Sequence, residues 1–168
     1  HLADAGLDTT LQVFATDLNP AAVTRARAGL YPHSIESDVS PQRLDRFFVR
    51  EERGYRISRK VRDVCVFARH NVVHDAPFSQ IDLIVCRNLL IYLDREVQRE
   101  ILQMFHFALR PGGFLFLGTS ESADACHELF APVDKRNRIF RPKTGTGNSR
   151  RTRSSSSWIR RKMRRNTQ

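Results

Sequence analysis

Residues suited to gripping a polar ligand stand together after an apolar run. Arg87 and Asn88 follow Leu83-Ile84-Val85-Cys86, and Tyr92 comes four positions later. The run has the form of a strand covered on both faces, and open α/β sheets hold their ligands at the carboxyl ends of such strands. Arginine's planar fork binds a carboxylate through two parallel hydrogen bonds, and burying it without an anion is costly. A salt bridge to Asp17, Asp82 or Glu121 would satisfy Arg87 equally well, and Tyr92 can be a core residue with its hydroxyl at the surface. Asp17 ends another apolar run. At the end of a parallel strand its two oxygens match the vicinal hydroxyls of an adenosine ribose, although it can equally cap the helix that follows. Asn71, after a further strand, can hydrogen-bond an adenine edge beside an apolar wall at Val72, or it can simply shape a turn. Glu121, in Gly118-Thr119-Ser120-Glu121-Ser122, can line the same crevice, or the segment can equally serve to cap a helix through Ser120 and Ser122. The six histidines show no ligand spacing, and no metal site is expected.

These residues need a framework of strands and helices. A strand is predicted over Leu11–Asp17, followed by a helix capped by Asn19 with Pro20 at its first position and closed by Gly29. Ser40-Pro41 opens a short helix with Leu44, Phe47 and Phe48 on one face. An arginine-rich hairpin turning at Gly54 comes next, then a strand at about Cys65–Arg69. The strand Ile81–Cys86 leads through the Arg87-to-Tyr92 segment to a helix capped by Asp94, with apolar residues at helical spacing from Val97 to Leu109. Pro111-Gly112-Gly113 ends that helix. Phe114–Gly118 is a strand, a helix is predicted near Ala123–Phe130, and a strand at Ile139-Phe140 finishes the fold. Alternating strands and helices imply an α/β protein with a mostly parallel sheet.

Composition sets the bounds. The 168 residues, 40% of them apolar, suit one domain with a real core. No stretch approaches the roughly 20 apolar residues of a membrane span, and the start does not have the form of a signal peptide; it has no initiator Met either, so the chain reads as a fragment. Cys65, Cys86 and Cys126, without a Cys-x-x-Cys pair, suit reduced thiols in the cytoplasm. Ten of the 28 Lys and Arg fall after Phe140, where there is no Asp or Glu, which leaves residues 1–140 with 18 of each sign. The basic excess is therefore a property of the tail, residues 143–168, whose Gly, Ser, Thr, Asn and Arg bias predicts disorder. Nucleic-acid binding would rest on that tail alone, with Trp158 among Arg160, Arg161, Lys162, Arg164 and Arg165. The absence of Gly-x-Gly-x-x-Gly argues against a nicotinamide dehydrogenase.

Taken in order, several blocks resemble the CheR-type chemotaxis methyltransferases, S-adenosylmethionine-dependent protein-glutamate O-methyltransferases. They are Phe14–Asn19, Ala26–Tyr31, Leu44–Phe48, Ile81–Asn88 with Ile91-Tyr92, Leu109–Gly113 and Gly118–Ser122. The resemblance covers residues 1–142. Val133–Phe140 looks most like the end of this domain in proteins that fuse it to a CheB-type methylesterase.

The resemblance implies a Rossmann-like class I methyltransferase fold, three layers αβα, truncated at its amino end, with a small β-hairpin subdomain over residues 48–66. It implies S-adenosyl-L-methionine as cofactor, with Asp17 on the ribose, Asn71 and Val72 at the adenine, and Arg87, Asn88 and Tyr92 beside the sulfonium and the entering glutamate. Partners would be the cytoplasmic helices of methyl-accepting chemoreceptors, met by a monomer through the cations Arg50, Arg53, Arg56, Arg59, Lys60 and Arg62. The family's N-terminal helical domain, first strand and cofactor loop do not precede His1 here, so this chain alone is expected to bind the cofactor poorly and turn over little. A non-catalytic remnant that only binds receptors or other partners is the competing reading.

Overall fold

A computed structural model describes residues 10–144, which fall into two compact units meeting in sequence between Asn71 and Val72. The first unit runs β1 (Val13–Asp17), α1 (Pro20–Ala28), β2 (Leu30–Tyr31), α2 (Pro41–Phe47), β3 (Phe48–Glu51), β4 (Gly54–Ile57), α3 (Arg59–Arg62) and β5 (Cys65–Arg69). β1 and β5 pair in parallel, Val13 opposite Cys65 and Asp17 opposite Arg69. The crossover begins with α1, whose capping follows the sequence: the Asn19 side chain accepts the Ala21 N–H at 2.9 Å, Pro20 takes the first turn, and Gly29 closes the helix at φ 60°. A side chain at Gly29 would also meet the Ile57 side chain at 2.6 Å. Ser40 places Pro41 at the start of α2, but its side chain makes no capping bond, and Phe48 begins β3 rather than extending the helix.

The predicted hairpin is present as β3 and β4, but it has a third member. β2 pairs antiparallel with β4, giving the order β2-β4-β3. A two-residue strand directly after a helix cap has no periodicity of its own, so only tertiary pairing reveals it. Arg56 ties the sheet together, reaching both oxygens of Glu51 across the hairpin and the carbonyl of Ala28.

The second unit runs β6 (Ile81–Cys86), a 3₁₀ turn (Leu90–Tyr92), α4 (Arg95–Ala108), β7 (Leu109–Leu117), a 3₁₀ turn (Asp124–Cys126), β8 (Phe130–Asp134) and β9 (Ile139–Pro142). The sheet order is β6-β7-β9-β8, with β6 and β7 parallel and the two later pairings antiparallel. Ile101, Leu102 and Phe105 of α4, Leu115 and Leu117 of β7, and Phe140 of β9 belong to one buried cluster. Burial of each such side chain contributes roughly 1.5–3 kcal/mol.

Three differences from the sequence reading have physical causes. Pro111-Gly112-Gly113 does not merely stop the helix. Ile81 pairs with Leu109 and Leu83 with Phe114, so residues 110–113 bulge within β7 opposite Asp82. The helix expected near Ala123–Phe130 is only a 3₁₀ turn, because the chain from Phe130 leaves to pair with β9. Pro132 is tolerated there because β8 lies at the sheet edge. β6 is covered on one face, where Cys86 is buried, while Leu83 and Val85 are 53% and 57% exposed. The fold continues to Lys143, which bonds through its N–H to the Leu129 carbonyl and through its ammonium to the His127 carbonyl. Residues 145–168, with most of the tail expected to be disordered and with Trp158, lie outside the described residues.

Candidate active site

The carboxyl end of β6 leads into a turn held from three sides. Asn88 has φ 58°, a left-handed conformation that asparagine tolerates better than most residues. With the chain turned there, three successive N–H groups converge on one carboxylate. Glu121 accepts from Asn88 at 3.0 Å, Leu89 at 2.9 Å and Leu90 at 2.7 Å, and also from Gly118 at 2.7 Å at the end of β7. Gly118 must lack a side chain, since a Cβ there would lie 2.5 Å from the Glu121 Oε2. Leu90 is buried in the core cluster. From α4, the Gln98 amide donates to the carbonyls of Leu90 at 3.0 Å and Leu93 at 2.9 Å. Asp94 then caps α4, accepting the Val97 N–H at 3.0 Å.

This rigid turn presents the predicted trio. The Arg87 guanidinium lies 5.3 Å from the centre of the Phe116 ring. It does not take the internal salt bridges weighed for it within this unit: Asp82 pairs with Arg110 at 2.5 Å, and both oxygens of Glu121 hold backbone N–H groups. Tyr92 is 78% exposed, so it is a surface group rather than part of the core. Glu121 does not line a crevice; it is 3% exposed and fully engaged. Burial pushes its carboxyl upward, but the N–H groups of Gly118, Leu90, Leu89 and Asn88 outweigh this and hold it below the ordinary carboxylate range. Burial and the nearby Glu121 charge push the Cys86 thiol up to about 12, which makes it inert as a nucleophile.

Asp17 and Asn71 belong to the first unit. Asp17 closes β1, exposed at the carboxyl end of the parallel pair, and its Oδ1 accepts the Asn19 N–H at 2.7 Å. Its carbonyl accepts the His70 N–H at 3.1 Å, which brings the chain just before Asn71 to the same strand end. Val72 falls in the second unit and packs against that unit's core cluster. Sequence reasoning missed Gly118 and Gln98 as supports and misjudged Glu121. The available signal was a glycine three residues before a glutamate at a strand end, a spacing that brings a carboxylate back onto the glycine N–H. Among the described residues no group of three His, Cys, Asp or Glu is placed to hold a metal, and no helix is long and apolar enough to cross a membrane.

Residues 2–139 match the family described as CheR methyltransferase, SAM binding domain. An uncharacterised 104.1 kDa protein of Rhodobacter capsulatus is 41% identical over 136 residues, 81% of this chain and 14% of that protein. Chemotaxis protein methyltransferase 1 of Pseudomonas aeruginosa is 38% identical over 119 residues, 69% of this chain and 43% of that protein. Among solved structures, the N-methyltransferase NodS of Bradyrhizobium japonicum with S-adenosyl-L-homocysteine aligns at a TM-score of 0.49 and 19% identity, over 79% of this chain and 67% of that one.

Parallel strands with polar groups at their carboxyl ends, together with a match over residues 2–139 to a cofactor-binding domain, define a methyltransferase domain of the SAM-binding kind. The chain belongs to the CheR methyltransferase family, as its SAM-binding domain, and its cofactor is S-adenosyl-L-methionine. It spans less than half the length of both relatives described above.

Proposed function

We propose that this chain is the catalytic domain of an enzyme that methylates glutamate side chains of chemoreceptors, with residues 1–142 as that domain and 48–66 as its partner-binding β subdomain. The observation that carries the reading is the Arg87-Asn88 turn with exposed Tyr92, held by Glu121 at the carboxyl end of β6. Each unit carries donor chemistry suited to the cofactor: an exposed carboxylate at Asp17 and an amide at Asn71 in the first, a guanidinium and a phenol at Arg87 and Tyr92 in the second. In this reading Asp17 holds the ribose, Asn71 and Val72 meet the adenine, and Arg87 and Asn88 lie beside the methionine part. S-adenosyl-L-methionine, when bound, supplies an electrophilic methyl group on a sulfonium.

The residues' own work is orientation. A glutamate side chain has an ordinary pKa of about 4.3, so the acceptor is ionised at neutral pH and needs no general base. The Arg87 fork and the Tyr92 hydroxyl can align that carboxylate, and effective molarity supplies the rate. Arg87→Ala in the full-length protein is expected to lower methyl transfer from tritiated cofactor to chemoreceptor-bearing membranes by about 100-fold, the scale of a misplaced reactant. Its circular dichroism should stay unchanged. Wild-type turnover by that variant would remove Arg87 from the site.

The partner surface follows from charge. Arg50, Arg53, Arg59 and Lys60 are exposed, while Arg56 is committed to Glu51 and Ala28 and Arg62 is half-buried. The four exposed cations suit an acidic helical bundle. A receptor-binding remnant without catalysis would keep this surface and show no transfer in the same assay.

A further inference from the structure

Glu121 is the only buried charged side chain among the described residues. Burying a carboxylate costs several kcal/mol, and an apolar residue of similar size often serves stability equally well. What Glu121 supplies instead is geometry. Successive backbone N–H groups around a left-handed residue form a concavity that binds anions. Here the concavity at Asn88, Leu89 and Leu90 is filled from within, by a side chain anchored through Gly118 to the end of the neighbouring strand. The residue before that concavity is Arg87, and the 3₁₀ turn after it ends at Tyr92.

We infer that Glu121 is a positioning residue: by gathering the Asn88–Leu90 N–H groups onto the end of β7, it sets the direction in which Arg87 and Asn88 face the cofactor and Tyr92 faces the acceptor. This rests on the reading of Arg87 and Asn88 as cofactor contacts given above. A glutamine at 121 would keep the shape but present an amide donor to groups that are themselves donors, so the turn would have to open. Gly118→Ala attacks the same contact from the other side and leaves the charge in place, since its Cβ would fall 2.5 Å from Oε2.

The test is a double-mutant cycle in the full-length protein, read by calorimetric titration with S-adenosyl-L-homocysteine well below each variant's melting temperature. Glu121→Gln is expected to weaken binding about tenfold in the wild-type background and less than twofold in an Arg87→Lys background, because its effect passes through Arg87. A purely structural role would lower the melting temperature and change affinity by the same factor in both backgrounds, which overturns the proposal. So does wild-type affinity in a folded Glu121→Gln protein beside a weakened Arg87→Lys. If Arg87→Lys itself binds like wild type, the site reading fails and the proposal falls with it. Should Glu121→Gln not fold, Gly118→Ala goes through the same cycle with the same expectations.

Discussion

At the scale of single residues, the candidate site is organised around a charge that never meets a ligand. Because Glu121 is held below the ordinary carboxylate value, it contributes stability fully above about pH 4.3 and loses that contribution as pH falls through its lowered folded value. Thermal unfolding followed by circular dichroism between about pH 3 and 7 should therefore show wild type and Glu121→Gln far apart at neutral pH and converging in acid. A constant separation across the range would mean that Glu121 is not ionised in the fold. Cys86 touches the same region, yet its raised pKa leaves it protonated at neutral pH. Alkylation of the native protein by iodoacetamide is expected to be faster at half-buried Cys65 than at buried Cys86 or Cys126, as read by peptide mass mapping.

At the scale of elements, α4 carries the second unit. Its inward face holds Ile101, Leu102, Phe105 and Ala108, and Leu102 is fully buried. Leu102→Ala is expected to cost about 2–5 kcal/mol in denaturant unfolding, the range for a buried leucine that leaves a cavity. Asp94→Ala removes a cap and should cost about 1 kcal/mol. Both elements were legible in the sequence, because the helical spacing of apolar residues and the cap chemistry are local signals. β1, α1, β6 and α4 appear where their residues predict them, for the same reason. The strands β2 and β8 were not legible. One has two residues and the other carries Pro132, and each exists because a neighbouring strand offers it hydrogen bonds.

At the scale of the whole molecule, each of the two units holds one parallel strand pair. Among the described residues β1 pairs only with β5, and β6 only with β7, so each keeps an edge without a strand partner. Val13, Phe14, Leu83 and Val85 are exposed along them. The isolated 168-residue chain, which spans 14% and 43% of the two relatives described above, is expected to bind S-adenosyl-L-methionine far more weakly than a full-length protein. Micromolar binding by the isolated chain in calorimetric titration would refute that. The sequence by itself determined the α/β class, the family, and the placing of Asp17 at the end of β1 and of Arg87 and Asn88 just after β6, because residue type, caps and periodicity are written in short windows. Only the tertiary structure decided that Glu121 is a clasp rather than a crevice group, that Tyr92 is exposed and that half-buried Val72 packs against the second unit's core cluster. Those depend on which backbone groups distant segments bring together, and Glu121 meets its N–H partners from 31 to 33 residues away in the chain.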